Sequence, residues 1–192
     1  MNFLSRYQNH PCKKLLDDAK TIVSYLENTK CKAIIIEVKE EEEADIVLFA
    51  DSNHGGVEGK STSGVLVKVW GSVIHWISKK QPICATSTIE AEYYAISMAV
   101  DEGIWIRRLL IEICDKAKII IKTKSDNKGA ITTFKNGPTQ KLKKIDIRKY
   151  HVHDQLEKGV FVIDYIPGEK QEADFLTKIL SPKKLDEAWG KL

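Results

Sequence analysis

Cysteine is sparse and scattered: Cys12, Cys31, Cys84 and Cys114 are the four in a chain of 192 residues. No two of them form a CxxC pair, which argues against a zinc ribbon or a disulfide framework and makes a reducing, intracellular setting the simpler expectation. Long hydrophobic runs are also missing. The longest reach about half of a membrane span, and no N-terminal stretch joins basic residues, an apolar run and a small-residue cleavage site. The expectation is a soluble, unsecreted protein with no membrane partner. Charge of one sign is not in marked excess either, since 30 Lys and Arg stand against 27 Asp and Glu. Such a balance neither demands nor excludes nucleic acid, so the distribution of charge has to decide. Internal repeats are absent. Apart from the run Glu40-Glu41-Glu42-Glu43, so is low complexity.

What is present is a hydrophobic fraction of 43%, enough for a buried core in one ordinary domain with an appendage. Leu15, Leu16, Ala19, Ile22, Val23 and Leu26 fall at helical spacing within residues 12 to 28, and Ala33 to Ile36 reads as a short strand. The four consecutive glutamates repel one another and mark a solvated linker. The division expected is therefore 1–43 as an appendage with an acidic linker and 44–192 as the main domain. Ile46 to Ala50 is a continuous apolar run of strand length. Val65 to Trp70 and Val73 to Ile77 flank Gly71-Ser72, the chemistry of a two-residue hairpin turn. Ala91, Ala95, Met98, Ile106, Leu109 and Ile113 describe a long amphipathic helix, interrupted at Glu102 and capped by Ser87 or Thr88. A strand over Ile119 to Ile121, a helix from Asn127 to Phe134 and a break at Gly137-Pro138 follow. Beyond them lie a helix over 146–157, a strand from Val160 to Ile166, and a helix from Lys170 to Leu180 stopped by Pro182. Trp70, Trp76 and Trp105 lie inside apolar patterns and are assigned to the core.

Functional groups in an α/β sheet gather where strands end. Asp51 follows the first strand and Asp126 the fourth; if these strands are parallel neighbours, both carboxylates leave one edge a few ångströms apart. Two such charges disfavour each other's ionisation unless a cation neutralises them. Glu92, in the first turns of the long helix, and Asp174, near the start of the last, are placed to add oxygen ligands. A set of hard oxygen donors without histidine or cysteine favours Mg²⁺ or Mn²⁺ over zinc. Two such ions roughly 4 Å apart serve phosphodiester cleavage. Asn53, two residues past Asp51, is a candidate for holding the scissile phosphate. Acidic residues at strand and helix ends are most often solvated caps, so spacing alone does not single these four out.

The strings around them do. Lys60-Ser61-Thr62-Ser63-Gly64, Ser78-Lys79-Lys80-Gln81, Glu90-Ala91-Glu92-Tyr93, Asp126-Asn127, Ile145-Asp146-Ile147-Arg148 and Ala173-Asp174-Phe175-Leu176-Thr177-Lys178 occur in this order. In content and separation they resemble the KSTSG, SKKQ, EAEY, DN, HIDIR and ADxLTK words of the ribonuclease H domain of copia-type LTR retrotransposon Pol polyproteins. Asn2 to Tyr7 and the helix after it resemble the family's segment joining reverse transcriptase to ribonuclease H. The resemblance implies an α/β, ribonuclease H-like fold with a five-stranded mixed sheet, three antiparallel strands then two parallel, flanked by helices. It also implies that Asp51, Glu92, Asp126 and Asp174 are the catalytic metal ligands and that two Mg²⁺ or Mn²⁺ ions serve RNA cleavage in RNA:DNA hybrids. The chain departs from the family after Asp51, where Ser52-Asn53-His54-Gly55 replaces a tryptophan-containing loop, and at Lys144, where the family has histidine.

Further candidates surround this set. Lys135, Lys141, Lys143, Lys144, Arg148 and Lys149 form a basic cluster suited to duplex phosphates. Ser61, Thr62, Ser63 and Asn127 are further substrate candidates, and turn chemistry explains the three hydroxyls equally well. His151 and His153 are candidate proton shuttles, and His54 is as well read as an exposed loop residue. The expected partners are an RNA:DNA hybrid and the reverse transcriptase portion of the same polyprotein. The expected location is cytoplasmic, in virus-like particles if the element is active. Two other readings stay open: a non-catalytic module of the same fold, and another nuclease of that broad fold such as an integrase or resolvase.

Overall fold

Apolar side chains at every position from Ile46 to Ala50 require cover on both faces of a strand, and in this computed structural model all five are buried. The structure describes residues 2–5, 7–37, 45–56, 59–114, 119–136, 148–178 and 180–190, with side chains at 2, 3, 148–151 and 182 left aside. The chain divides into two compact units, Met1–Ile35 and Ile36–Leu192. The acidic run 40–43, and the boundary expected there, lie outside the described residues.

The first unit holds α1 (Asn2–Ser5) and α2 (Lys13–Asn28). The strand expected at Ala33 to Ile36 does not form; Ile35 and Ile36 are exposed and their backbone is irregular. A four-residue apolar run finds no sheet edge there to supply its hydrogen bonds.

The second unit is built on a five-stranded sheet in the order β3-β2-β1-β4-β5, from β1 (Ile46–Asn53), β2 (Thr62–Val69), β3 (Ser72–Lys80), β4 (Ile121–Ser125) and β5 (Phe161–Tyr165). The first three strands pair antiparallel, and β4 and β5 add in parallel. This is the expected mixed sheet. The helix α3 (Thr88–Cys114) runs unbroken through Glu102. Its Ala95, Ile96, Ala99 and Val100 join Ile46, Leu48, Val65, Val67 and Ile121 in one buried cluster. Gly103 lets α3 approach β1, for a Cβ there would meet Leu48 Cδ1 at 2.7 Å. The remaining helices are α4 (Lys128–Asn136), α5 (Arg148–Glu157), α6 (Asp174–Thr177) and α7 (Pro182–Trp189), with a 3-10 turn at Gly168–Lys170. Tyr93 of α3 stacks on Phe134 of α4 at 3.9 Å between ring centroids.

Three local expectations change. The hairpin turn is Trp70-Gly71, both at positive φ (46° and 81°), one residue earlier than Gly71-Ser72. Trp70 is held there by its amide on the Asp45 carbonyl and its indole Nε1 on Asp45 Oδ1 at 3.2 Å. Trp76 and Trp105 are exposed by 52% and 60%, and Trp70 is half-buried, so the two former are surface residues and not core. The expected helix over Lys170 to Leu180 shrinks to the 3-10 turn and α6. Pro182 opens α7 instead of closing a helix, because proline at the first helical position gives up no needed N–H and Ser181 supplies the cap.

A candidate metal centre at the ends of two parallel strands

The parallel register of β1 and β4 fixes the site. Phe49 pairs with Lys124, and continuing that register by two residues brings Asp51 level with Asp126. Asp51 still lies within β1, opposite Gly64, while Asp126 follows the last residue of β4. Glu92 reaches the same place from the second turn of α3. Ser87 Oγ accepts the Glu90 amide at 3.1 Å and so caps this helix, while the Glu90 carboxylate accepts the amide and hydroxyl of Thr86. The capping box is thus displaced by one residue, and Glu90 is committed to it. The neighbouring Glu92 is left to face the strands.

Asp51, Glu92 and Asp126 each offer an oxygen, and the three oxygens lie within 4.8 Å of one another. Asp51 and Glu92 are buried and Asp126 is half-buried. One Glu92 oxygen, Oε1, accepts the Ser52 amide at 3.1 Å; the other, Oε2, is buried and has no hydrogen-bond partner among the described residues. Burial, then the charges of Asp51 and Asp126, push the Glu92 carboxyl up to about 8, against the pull of its bonds to Ser52. Burial also raises Asp51, opposed by a hydrogen bond from Thr177 and the charge of Lys178 and assisted by Asp174 and Asp126. Crowded, desolvated carboxylates with an orphaned oxygen are what a divalent cation relieves. Three oxygen donors without a histidine or thiolate suit magnesium or manganese, and these residues fit such an ion.

Asp174 stands a step outside the trio. It opens α6, and its Oδ1 accepts the Lys178 ammonium at 2.7 Å; the same ammonium lies 3.8 Å from Asp51 Oδ2. Burial pulls Lys178 down, yet the hydrogen bond to Asp174 and the charges of Asp51, Asp174 and Asp126 hold it above the ordinary lysine value. The Thr177 hydroxyl donates to Asp51 Oδ2. Thr177 and Lys178 are functional neighbours that the sequence reading assigned no role. The available signals were their place in the Ala173-to-Lys178 string and the four-residue step from Asp174 to Lys178.

Other candidates divide. Asn53, the last residue of β1, and His54, in the turn after it, are exposed, and Thr62 is half-buried opposite Asn53 in the β1–β2 pairing. Ser61 and Ser63 are fully buried; Ser63 Oγ accepts Gln81 Nε2 at 2.8 Å, and the same amide reaches the Ala91 carbonyl at 2.9 Å. Through that amide Ser63 ties β2 to the start of α3, and the Ser61 carbonyl accepts the Gln81 backbone amide at 2.8 Å. Asn127 caps α4, with Oδ1 accepting the Ala130 amide at 2.9 Å. His153 is likewise engaged, 3.2 Å from the Phe134 carbonyl through Nδ1. Arg148 and His151 belong to α5, but their side chains, like Lys143 and Lys144 altogether, lie outside the described residues. A cation–aromatic pair missed in the sequence flanks Asp126: Lys128 Nζ stands 4.6 Å over the ring of Tyr165, and Tyr165 is paired with Ser125.

An antiparallel triplet extended by two parallel strands, with carboxylates converging from β1, β4 and α3, defines the ribonuclease H-like class. Solved structures agree on the fold. LC11-RNase H1, isolated from compost by a metagenomic approach, superposes with a TM-score of 0.54 at 20% identity, covering 77% of this chain and 97% of its own. The same enzyme in complex with an RNA/DNA hybrid gives 0.52 at 21% identity, covering 73% and 99%.

Sequence narrows the likeness: the chain is homologous to part of the retrotransposon Pol polyproteins. It is 29% identical over 189 residues to the retrovirus-related Pol polyprotein from transposon TNT 1-94 of Nicotiana tabacum, a match spanning 95% of this chain and 14% of that protein. It is also 35% identical over 105 residues to secreted RxLR effector protein 161 of Plasmopara viticola, covering 54% of this chain and 72% of that one. No family model matches.

Proposed function

We propose that this chain is a metal-dependent endonuclease that cleaves the RNA strand of RNA:DNA hybrids during retrotransposon reverse transcription. The observation that carries the reading is the convergence of Asp51, Glu92 and Asp126, where one Glu92 oxygen has no hydrogen-bond partner among the described residues. Kinship with Pol polyproteins and likeness to a ribonuclease H solved with an RNA/DNA hybrid support it.

In this reading Asp51, Glu92 and Asp126 hold the metal, with Asp174 completing the ligand set once freed from Lys178. Magnesium or manganese, as two ions, would supply positive charge for the scissile phosphate and would ease deprotonation of a water to the attacking hydroxide. The protein itself supplies no covalent nucleophile. The attacking water adds to phosphorus, the P–O3′ bond breaks, and a 3′-hydroxyl and a 5′-phosphate result. Asn53, exposed beyond Asp51, contacts the phosphate from the β1–β2 side, and Lys128 with Tyr165 borders the site from β4 and β5. The cluster of Lys143, Lys144 and Arg148, with His151, serves the duplex backbone, whose A-like shape and 2′-hydroxyls replace base reading. The working partner is the reverse transcriptase portion of the same polyprotein, joined through residues 1–43, in cytoplasmic virus-like particles. Among the described residues, no helix is long and apolar enough to cross a membrane.

The test is cleavage of a hybrid labelled on its RNA strand, in Mg²⁺ or Mn²⁺, by this chain and by a longer one retaining the polymerase. Cutting is expected, and Asp51→Asn or Asp126→Asn should lower its rate by at least about a thousandfold while the circular dichroism spectrum persists. A wild-type chain that binds the hybrid and leaves it intact in both forms overturns the enzymatic reading in favour of a non-catalytic module.

A further inference from the structure

The segment that follows β5 comes to the carboxylates by a route the strands do not dictate. Gln171 is buried and its Nε2 donates to the Ala50 carbonyl at 2.8 Å, beside Asp51. Ser78 Oγ of β3 donates to the Leu176 carbonyl at 2.6 Å. Gly64 of β2 makes the approach possible: a Cβ there would stand 2.7 Å from Thr177 Cγ2 and 2.9 Å from Leu176 Cβ. Three strands therefore pin α6, and Lys178 is the residue immediately after it. Its ammonium is delivered to Asp174 at 2.7 Å and to within 3.8 Å of Asp51 Oδ2, the oxygen that also takes the Thr177 hydroxyl.

We propose that Lys178 is the built-in counter-ion of this site, holding Asp174 and Asp51 before metal binds and yielding Asp174 when it does. The proposal rests on the metal-binding reading above. An ammonium already paired to Asp174 blocks that carboxylate as a ligand, and a positive charge beside Asp51 repels an arriving dication. Lys178 thus sets how much free metal the site needs, and it makes occupancy on the Asp174 side the later event. Its side chain is 44% exposed, so it can swing into water, and the arriving dication takes over the neutralisation of buried Asp51. An ordinary surface pair four residues apart contributes little and would do none of this.

The test is a Mn²⁺ titration of the full chain by calorimetry at fixed pH and ionic strength, comparing wild type, Lys178→Gln and Lys178→Arg, with thermal melts in chelator and in Mn²⁺. Lys178→Gln is expected to bind Mn²⁺ more tightly, on the order of tenfold. It should melt lower in chelator and gain more from metal, while Lys178→Arg keeps the wild-type affinity. Wild type binding Mn²⁺ with Lys178→Gln no tighter overturns the proposal and leaves the metal reading standing. Neither protein binding overturns both, whereas binding by Lys178→Gln alone supports the counter-ion. If Lys178→Gln is unfolded in chelator, rescue by Mn²⁺ supports the proposal, and failure of any metal to rescue it counts against it.

Discussion

Glu92 is bonded through one oxygen to the Ser52 amide and finds no partner for the other among the described residues, with a carboxyl raised from 4.5 to about 8. The sign of the linkage follows. A carboxyl whose folded value exceeds its unfolded one binds more protons in the folded state, so stability is full below about 4.5 and is lost as pH rises toward about 8. Asp51 shifts in the same direction. In chelator, the thermal midpoint is therefore expected to fall between pH 5 and pH 8.5, and Glu92→Gln should flatten that fall and raise the midpoint at pH 8. Saturating Mn²⁺ should remove the difference in the wild type. A midpoint that rises with pH in chelator counts against the crowding described here. At this scale Asp51, Glu92 and Asp126 were legible, because each sits at a fixed place on a strand or helix that its own neighbourhood specifies. Thr177 was not. Its partner Asp51 is 126 residues away, and only the docking of α6 on β2 brings them together. Trp76 and Trp105 misled for a related reason: an apolar pattern shows which face a residue shares, not whether anything covers that face.

Two glycines mark where elements must touch. Gly64→Ala would drive a methyl into Thr177 and Leu176 of α6, and Gly103→Ala into Leu48 of β1. Each is expected to cost about 1–3 kcal/mol in urea unfolding, the usual range for overpacking. Their functional consequences should differ. Gly64→Ala displaces the segment carrying Asp174, Thr177 and Lys178, so Mn²⁺ affinity should change with stability. Gly103→Ala lies about three helical turns beyond Glu92, so Mn²⁺ affinity should stay within about twofold of wild type. Equal shifts in metal affinity for both would mean that α6 has no special hold on the site. Strand β4, expected over Ile119 to Ile121, runs from Ile121 to Ser125 with alternating lysines and a threonine. The other four strands and α3 could be read in advance because their hydrophobic periods are long or continuous. The turn at Trp70-Gly71 and the broken helix after β5 could not. There the decisive interactions are a single bond set from Asp45, and contacts to strands more than ninety residues earlier, such as Ser78 with Leu176 (98 residues apart).

At the scale of the molecule, the buried cluster among the described residues is drawn from Ile46 to Ile163, and α2 contributes no buried side chain. A chain beginning at Ile36 should therefore fold on its own, with an unfolding free energy within about 1 kcal/mol of the full chain. A larger loss, measured by urea melts of the two side by side, would show that residues 1–35 belong to the same cooperative unit. The chain spans 14% of the length of its tobacco relative.

The central claim is that Asp51, Glu92 and Asp126 converge in order to share a divalent cation. Its most direct test is anomalous diffraction from crystals of this chain soaked in Mn²⁺ near pH 8. The account expects a manganese peak about 2.1 Å from a carboxylate oxygen of each of the three. Saturating Mn²⁺ with no peak at that position, and the three carboxylates in place, would contradict it.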